Sequence, residues 1–92
     1  MITIERKSER NKTQEVQVRS MCSQLVHFCS TLESFERNFK EDILKIKRNN
    51  NFQHSFFYKI FNEGDRLELW HLNMQGEKSR LIWIIKESQT QN

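Results

Sequence analysis

Apolar residues in the first half of the chain recur at the three- and four-residue spacing that is typical of a helix. The first stripe consists of Val18, Met21, Cys22, Leu25, Cys29 and Leu32. A second stripe follows it, made of Phe35, Phe39, Ile43 and Ile46. Between the stripes, Ser30 and Glu33 match the S-x-x-E capping box that begins many helices. We therefore expect two helices, the second beginning near Thr31, with one continuous bent helix as the alternative.

The second half of the chain is rich in aromatic and β-branched residues, and Gly64 and Gly76 divide it. Its apolar runs predict strands over residues 54–62, 66–73 and 79–86, with turns at the two glycines. Residues 2–4 alternate and predict a short edge strand. The expected fold is one α+β domain over residues 1–92, in which two N-terminal helices pack on a three-stranded antiparallel meander. The polar segments near 1–12 and 87–92 are expected to be flexible ends.

Alternation along the three strands predicts two apolar faces. The first face holds Phe56, Tyr58, Ile60, Leu67, Leu69, Ile82 and Ile84. The second face holds Phe57, Phe61, Trp70, Leu72, Leu81, Trp83 and Ile85, with Lys59 and Glu68 among them. The first face suits the helical stripes as a core. The second is unexpected, because a sheet face that is open to water is normally polar.

Three interpretations account for a second apolar face. In the first, the helices lie on opposite sides of the sheet and both faces are core. In the second, the face docks another copy of the chain or a different protein, since Trp and Phe with few charges form the centres of interfaces. In the third, the face stacks unpaired bases, and phosphates meet the basic residues at its rim. Those rim residues are Lys59, Arg66, Lys78 and Lys86.

The charge and the cysteine content of the chain indicate its class of partner and its cellular location. The 92-residue chain has a net charge of +3 and a pI of about 9.1, a mild bias toward acidic partners. Cys22 and Cys29 are seven residues apart, about 10 Å along a helix, which is too far for a disulfide. This favours a reducing, intracellular location. The N-terminal residues lack the apolar stretch of a signal peptide, and no run reaches the ~20 apolar residues of a membrane span.

Few residues suggest catalysis or metal binding. Cys22, His27 and Cys29 do not share one helix face, so we expect no metal site, and no glycine-rich phosphate motif implies a cofactor. His71 and Arg80 fall opposite each other on neighbouring strands. Such a pair could move a proton and stabilise phosphate charge in a nuclease, although a polar pair at a strand end is the simpler interpretation.

A basic cluster ends the second predicted helix. It consists of Lys45, Lys47 and Arg48. These cations could bind phosphate, or they could complement the negative end of the helix dipole. The two interpretations are equally consistent with the residues.

The order of a short strand, two helices and a three-stranded meander in a chain of this size resembles the RelE-type family of small toxins. The resemblance implies a ribosome-dependent ribonuclease, with His71 and Arg80 as the nearest candidates for catalytic residues. The aromatic second face favours instead a non-enzymatic accessory or inhibitory protein, a homodimer or complex subunit that docks a macromolecule. Direct binding of single-stranded nucleic acid or of a nucleoprotein is a further alternative.

Overall fold

The computed structural model of the chain describes residues 1–49 and 57–88, and the side chains of residues 47–49 lie outside that description. Its elements are β1 (Ile2–Arg6), α1 (Thr13–Phe28), α2 (Leu32–Asn49), β2 (Tyr58–Asn62), β3 (Arg66–Leu72) and β4 (Lys78–Glu87). The strands form one antiparallel sheet in the order β1-β4-β3-β2. The α+β class, the two helices and the meander are therefore confirmed. The predictions for Phe56 and for the polar end after residue 88 lie outside the described residues.

Both hairpins turn where the sequence predicts, and local hydrogen bonds close them. Gly64 and Gly76 have φ angles of 90° and 80°, a left-handed conformation that costs other residues about 1–2 kcal/mol. Asn62 Oδ1 accepts a hydrogen bond from the Gly64 N–H at 2.8 Å, and Asn73 Oδ1 accepts one from the Glu77 N–H at 2.9 Å. The meander is thus aligned by its own turns.

The N-terminal segment is held along the far side of β4. β1 pairs with β4, with Ile4 opposite Ile85, so the short edge strand is confirmed. After β1, the N–H groups of Lys7 and Ser8 donate to the Ile82 carbonyl at 2.9 and 3.1 Å. Residues 2–8, which lie in the segment predicted to be a flexible end, are therefore paired along β4. Backbone pairing holds this segment, and polar side chains give no sign of it.

A sharp break separates the two helices. The N–H of Ser34 donates to Thr31 Oγ1 at 3.1 Å, so Thr31 caps α2 and the predicted cap at Ser30 is wrong by one residue. Between the helices, Cys29 has an extended backbone with φ −104° and ψ 136°, which turns the chain back. Cys22 and Cys29 are both buried, free thiols, as predicted from their spacing.

Both helices pack on the same side of the sheet. Their buried residues form one cluster with sheet residues of a single face. From the helices it includes Val18, Met21, Cys22, Leu25, Phe35 and Phe39, and from the sheet Tyr58, Ile60, Leu67, Leu69, Ile82, Trp83 and Ile85. The strand register places Ile60, Leu69 and Trp83 on one line across this face. The interpretation with helices on opposite faces is therefore wrong.

A β-bulge in β4 changes which residues point inward. Leu69 pairs with Trp83, whereas the next residue, Trp70, pairs with Leu81, so Ile82 is an extra residue in β4. Ile82 and Trp83 are both buried against the helices, with exposed fractions of 0% and 2%. An extra residue reverses the alternation beyond it. Trp83 and Ile85 therefore belong to the core rather than to the second face, and Ile84 lies on the opposite side.

Candidate functional site

The sheet face opposite the helices is the candidate binding surface, and we call it the outer face. Cross-strand pairing defines its members, because directly opposed residues share a side of the sheet. They are Thr3, Glu5, Lys59, Phe61, Arg66, Glu68, Trp70, Leu72, Lys78, Leu81, Ile84 and Lys86. Neither described helix packs on this face, since the buried residues of both helices join the core on the other side.

The outer face has fewer aromatic side chains than the sequence predicts. Phe61 and Trp70 lie on it and are both half-buried. Trp83 is in the core because of the bulge. Phe57 precedes the first paired residue of β2 and lies beside His71, with ring centroids 6.2 Å apart. The predicted surface of four aromatic residues is therefore wrong for Trp83 and Phe57, and Phe61 and Trp70 remain.

Lys78 lies across the two aromatic rings of the outer face. Its Nζ is 4.6 Å from the ring centroid of Phe61 and 5.1 Å from that of Trp70. Glu63 holds the same ammonium at 3.3 Å. The aliphatic stem of a lysine covers apolar surface when its charged end is held in this way. This arrangement explains why both rings are only half-exposed although no described helix covers them.

Acidic side chains neutralise most of the basic rim. Among the described residues, Arg66 pairs with Glu68 at 3.0 Å, Lys78 with Glu63 as above, and Lys86 with Glu5 at 3.4 Å. Lys59 has no carboxylate within ion-pair distance in the part of the chain described, and its Nζ lies 5.2 Å from the Phe61 ring centroid. The rim therefore presents both signs of charge, with one unpaired cation.

Glu68 lies at the centre of the outer face and is only 8% exposed. Its carboxylate accepts hydrogen bonds from Trp70 Nε1 at 2.9 Å and from Arg66 Nε at 3.0 Å. The Trp70 hydrogen bond chiefly, with help from Arg66, holds the pKa of Glu68 below its usual value, although burial acts in the opposite direction. The hydrogen bond to this carboxylate also holds the Trp70 indole in one orientation.

The structure brings His71 and Arg80 together as predicted, directly opposite each other on β3 and β4. Arg80 is nevertheless engaged by other groups. Its guanidinium donates to both carboxylate oxygens of Glu15, and to Ser8 Oγ at 2.9 Å. Glu15 is 1% exposed. This buried ion pair occupies the arginine that a nuclease would need for phosphate.

The other predicted sites are less defined. Lys45 is exposed and its Nζ lies 3.7 Å from Asp42 Oδ1, while the side chains of Lys47 and Arg48 are outside the described residues. Within residues 1–49 and 57–88 there is no group of three His, Cys, Asp or Glu side chains arranged to hold a metal ion. No helix in this part of the chain is both long enough and apolar enough to cross a bilayer.

Comparison of the chain with protein-family models, with curated proteins and with solved structures finds no match. The resemblance in layout to RelE-type toxins therefore gains no support from solved structures.

Proposed function

We propose that this chain is a non-enzymatic binding protein that docks a second copy of itself through the outer face. The observation that carries the proposal is the pair of half-exposed rings, Phe61 and Trp70, on a sheet face that neither described helix covers. Half-exposed aromatic side chains that lie beside buried or half-buried aliphatic residues are the usual anchors of protein interfaces. Leu72, Leu81 and Ile84 supply that aliphatic surround.

The charge pattern favours a protein surface over nucleic acid. A phosphate backbone requires cations that are free to meet it, and three of the four rim cations already have carboxylate partners. A rim that carries both signs is complementary to itself when two copies meet about a two-fold axis, because each cation can face a carboxylate of the other copy. A second copy is therefore the occupant with matching chemistry.

The size of the sheet limits the strength of the association. Four strands at a spacing of about 4.8 Å, with about 20 Å of useful length, give a face of roughly 400 Å². Two such faces bury roughly 800 Å², below the ~1,200 Å² of stable complexes. We therefore expect a weak dimer, with a dissociation constant in the micromolar range or above.

Sedimentation velocity from about 5 to 500 μM tests the proposal. We expect the average mass to rise with concentration toward that of a dimer. Trp70→Lys should weaken this association by roughly 30-fold, as loss of an interface anchor does. The new ammonium can still pair with Glu68, so the variant is expected to stay folded, and circular dichroism checks this.

Met74→Lys is the matched control, because Met74 is 89% exposed at a hairpin turn outside the outer face. It adds the same charge and should leave the dimer intact. A wild-type chain that stays monomeric up to 500 μM contradicts the proposal, as does a dimer that Trp70→Lys does not weaken. Binding of single-stranded RNA that weakens steeply with added salt would favour the nucleic-acid alternative instead.

A further inference from the structure

A cleft away from the outer face collects polar side chains from three parts of the chain. It has a volume of about 260 Å³ and lies where the start of α1 meets the paired ends of β2 and β3. Its lining consists of Lys12, Gln14, Phe57, Tyr58 and His71. Pockets for drug-sized ligands usually start at about 300 Å³. This cleft therefore fits a small chemical group better than a large molecule.

The protein holds the cleft side chains in place. Tyr58 and His71 are directly opposed on β2 and β3, and their rings meet edge to face with centroids 5.2 Å apart. The Phe57 ring also lies beside the imidazole, with ring centroids 6.2 Å apart. Tyr58 is buried and lines the cleft. The two polar rings are thus fixed before any ligand binds, which reduces the entropy cost of binding.

Positive charge exceeds negative charge around the cleft. The charges that act on His71 are three cations, Arg10, Lys12 and Arg80, and one anion, Glu15. Burial, followed by the positive charge of Arg80, lowers the pKa of His71. Glu15 is already occupied, because besides Arg80 it accepts the Arg10 backbone N–H at 2.6 Å. Lys12 has no carboxylate within 4 Å among the described residues. The cleft therefore has an unbalanced positive field.

Every polar side chain in the cleft can donate a hydrogen bond. Burial, followed by the charge of Glu15, raises the pKa of Tyr58, so its hydroxyl keeps its proton. The Gln14 amide, the His71 imidazole and the Lys12 ammonium are the other donors. Donors in a positive, preformed cleft match the several acceptor oxygens of phosphate. No carboxylate among the described residues lines the cleft to compete with such a ligand.

We propose that this cleft binds a phosphate group, with Lys12 as its charge partner and Tyr58, His71 and Gln14 as hydrogen-bond donors. The phosphate can be free inorganic phosphate or the phosphate of a mononucleotide. The site is separate from the outer face and does not depend on dimer formation. Protonated His71 is the stronger hydrogen-bond donor, so a bound phosphate is expected to favour the protonated imidazole.

NMR titration of the imidazole resonances tests the site, with inorganic phosphate and adenosine 5′-monophosphate as probes. Each is compared with sodium chloride of equal ionic strength. The His71 resonances should shift and saturate, and the pKa of His71 should rise when the probe is bound. His27 is exposed at the end of α1 and serves as the internal reference. A mononucleotide that saturates at a tenfold lower concentration than inorganic phosphate identifies the nucleotide as the source.

Two substitutions separate the cleft from general charge effects. Lys12→Gln should weaken phosphate binding by roughly five- to tenfold, as loss of one charged hydrogen bond does. Lys7→Gln removes a lysine that pairs with Glu5 at 2.7 Å outside the cleft and should leave binding unchanged. Equal loss in both variants contradicts the proposal. So does a His71 response that fails to saturate or that sodium chloride reproduces.

Discussion

Replacing Arg80 with methionine should destabilise this domain severely, because it leaves a charged carboxylate in the interior. Glu15 is 1% exposed, and Arg80 contacts both of its carboxylate oxygens. Removing one partner of a buried ion pair typically lowers the free energy of unfolding by about 3–5 kcal/mol. In the variant, the Glu15 carboxylate still accepts the hydrogen bond from the Arg10 N–H at 2.6 Å, and Arg19 Nε still lies 3.9 Å from it. We therefore expect the lower end of that range, about 3 kcal/mol.

Urea unfolding followed by circular dichroism measures this cost. With a denaturant slope of about 1.3 kcal/mol/M, as for small domains, a loss of about 3 kcal/mol lowers the unfolding midpoint by roughly 2 M. The double variant Glu15→Met with Arg80→Met removes both charges and should recover most of the loss. Arg6→Met is the control, since Arg6 is 73% exposed and pairs with Glu9 at the surface. Its expected cost is below about 1 kcal/mol.

The double-mutant cycle decides whether the pair acts as a unit. We expect a coupling free energy of about 2 kcal/mol or more between Glu15 and Arg80. Additive single effects would contradict this prediction, because they would mean that Glu15 does not depend on Arg80. A cost for Arg80→Met as small as that for Arg6→Met would refute it as well.

Two further predictions concern buried polar contacts. The pKa of His71 is lowered in the fold from 6.5, so the unfolded chain binds protons more readily. The free energy of unfolding should therefore fall as the pH drops from 7.5 to 5, and it should fall less in His71→Gln. An equal fall in the two proteins, measured by urea unfolding at both pH values, would contradict this prediction. Trp83→Phe and Trp70→Phe each lose a hydrogen bond from Nε1 to a carboxylate, that of Glu9 or of Glu68. Only Trp83 is in the core, at 2% exposed, so we expect Trp83→Phe to cost about 1 kcal/mol more in urea unfolding because it also leaves a cavity. An equal cost for both would show that the core position of Trp83 has no special role.

Most of the architecture was predictable because the signals were local. The glycine turns, the helix break and the opposition of His71 and Arg80 each depend on a few neighbouring residues, and all three are confirmed. The position of Trp83 was not predictable in this way. Residues 81–85 are all apolar, so no polar residue marks the two-residue alternation, and an extra residue in the run leaves no trace in the pattern.

The buried ion pair shows a second limit of the sequence. Glu15 and Arg80 are 65 residues apart, and nothing in the sequence says that they meet. One signal for the burial of Glu15 exists, because Glu15 lies three residues before Val18 at the spacing of the α1 stripe. The cleft residues Lys12, Gln14 and Tyr58 have no such signal. They come together only because α1 passes over the ends of β2 and β3.

The bulge at Ile82 makes the character of both sheet surfaces depend on one extra residue in β4. If Ile82 were paired in a regular ladder instead, Trp83 and Ile85 would move to the outer side and Ile84 would turn inward. Deleting Ile82 would leave Leu81 opposite Trp70 and Trp83 opposite Leu69, so an in-frame loss of that codon would keep the contents of both surfaces. It would remove the carbonyl to which Lys7 and Ser8 are bonded. In this chain, one inserted residue decides which aromatic residues other molecules can reach.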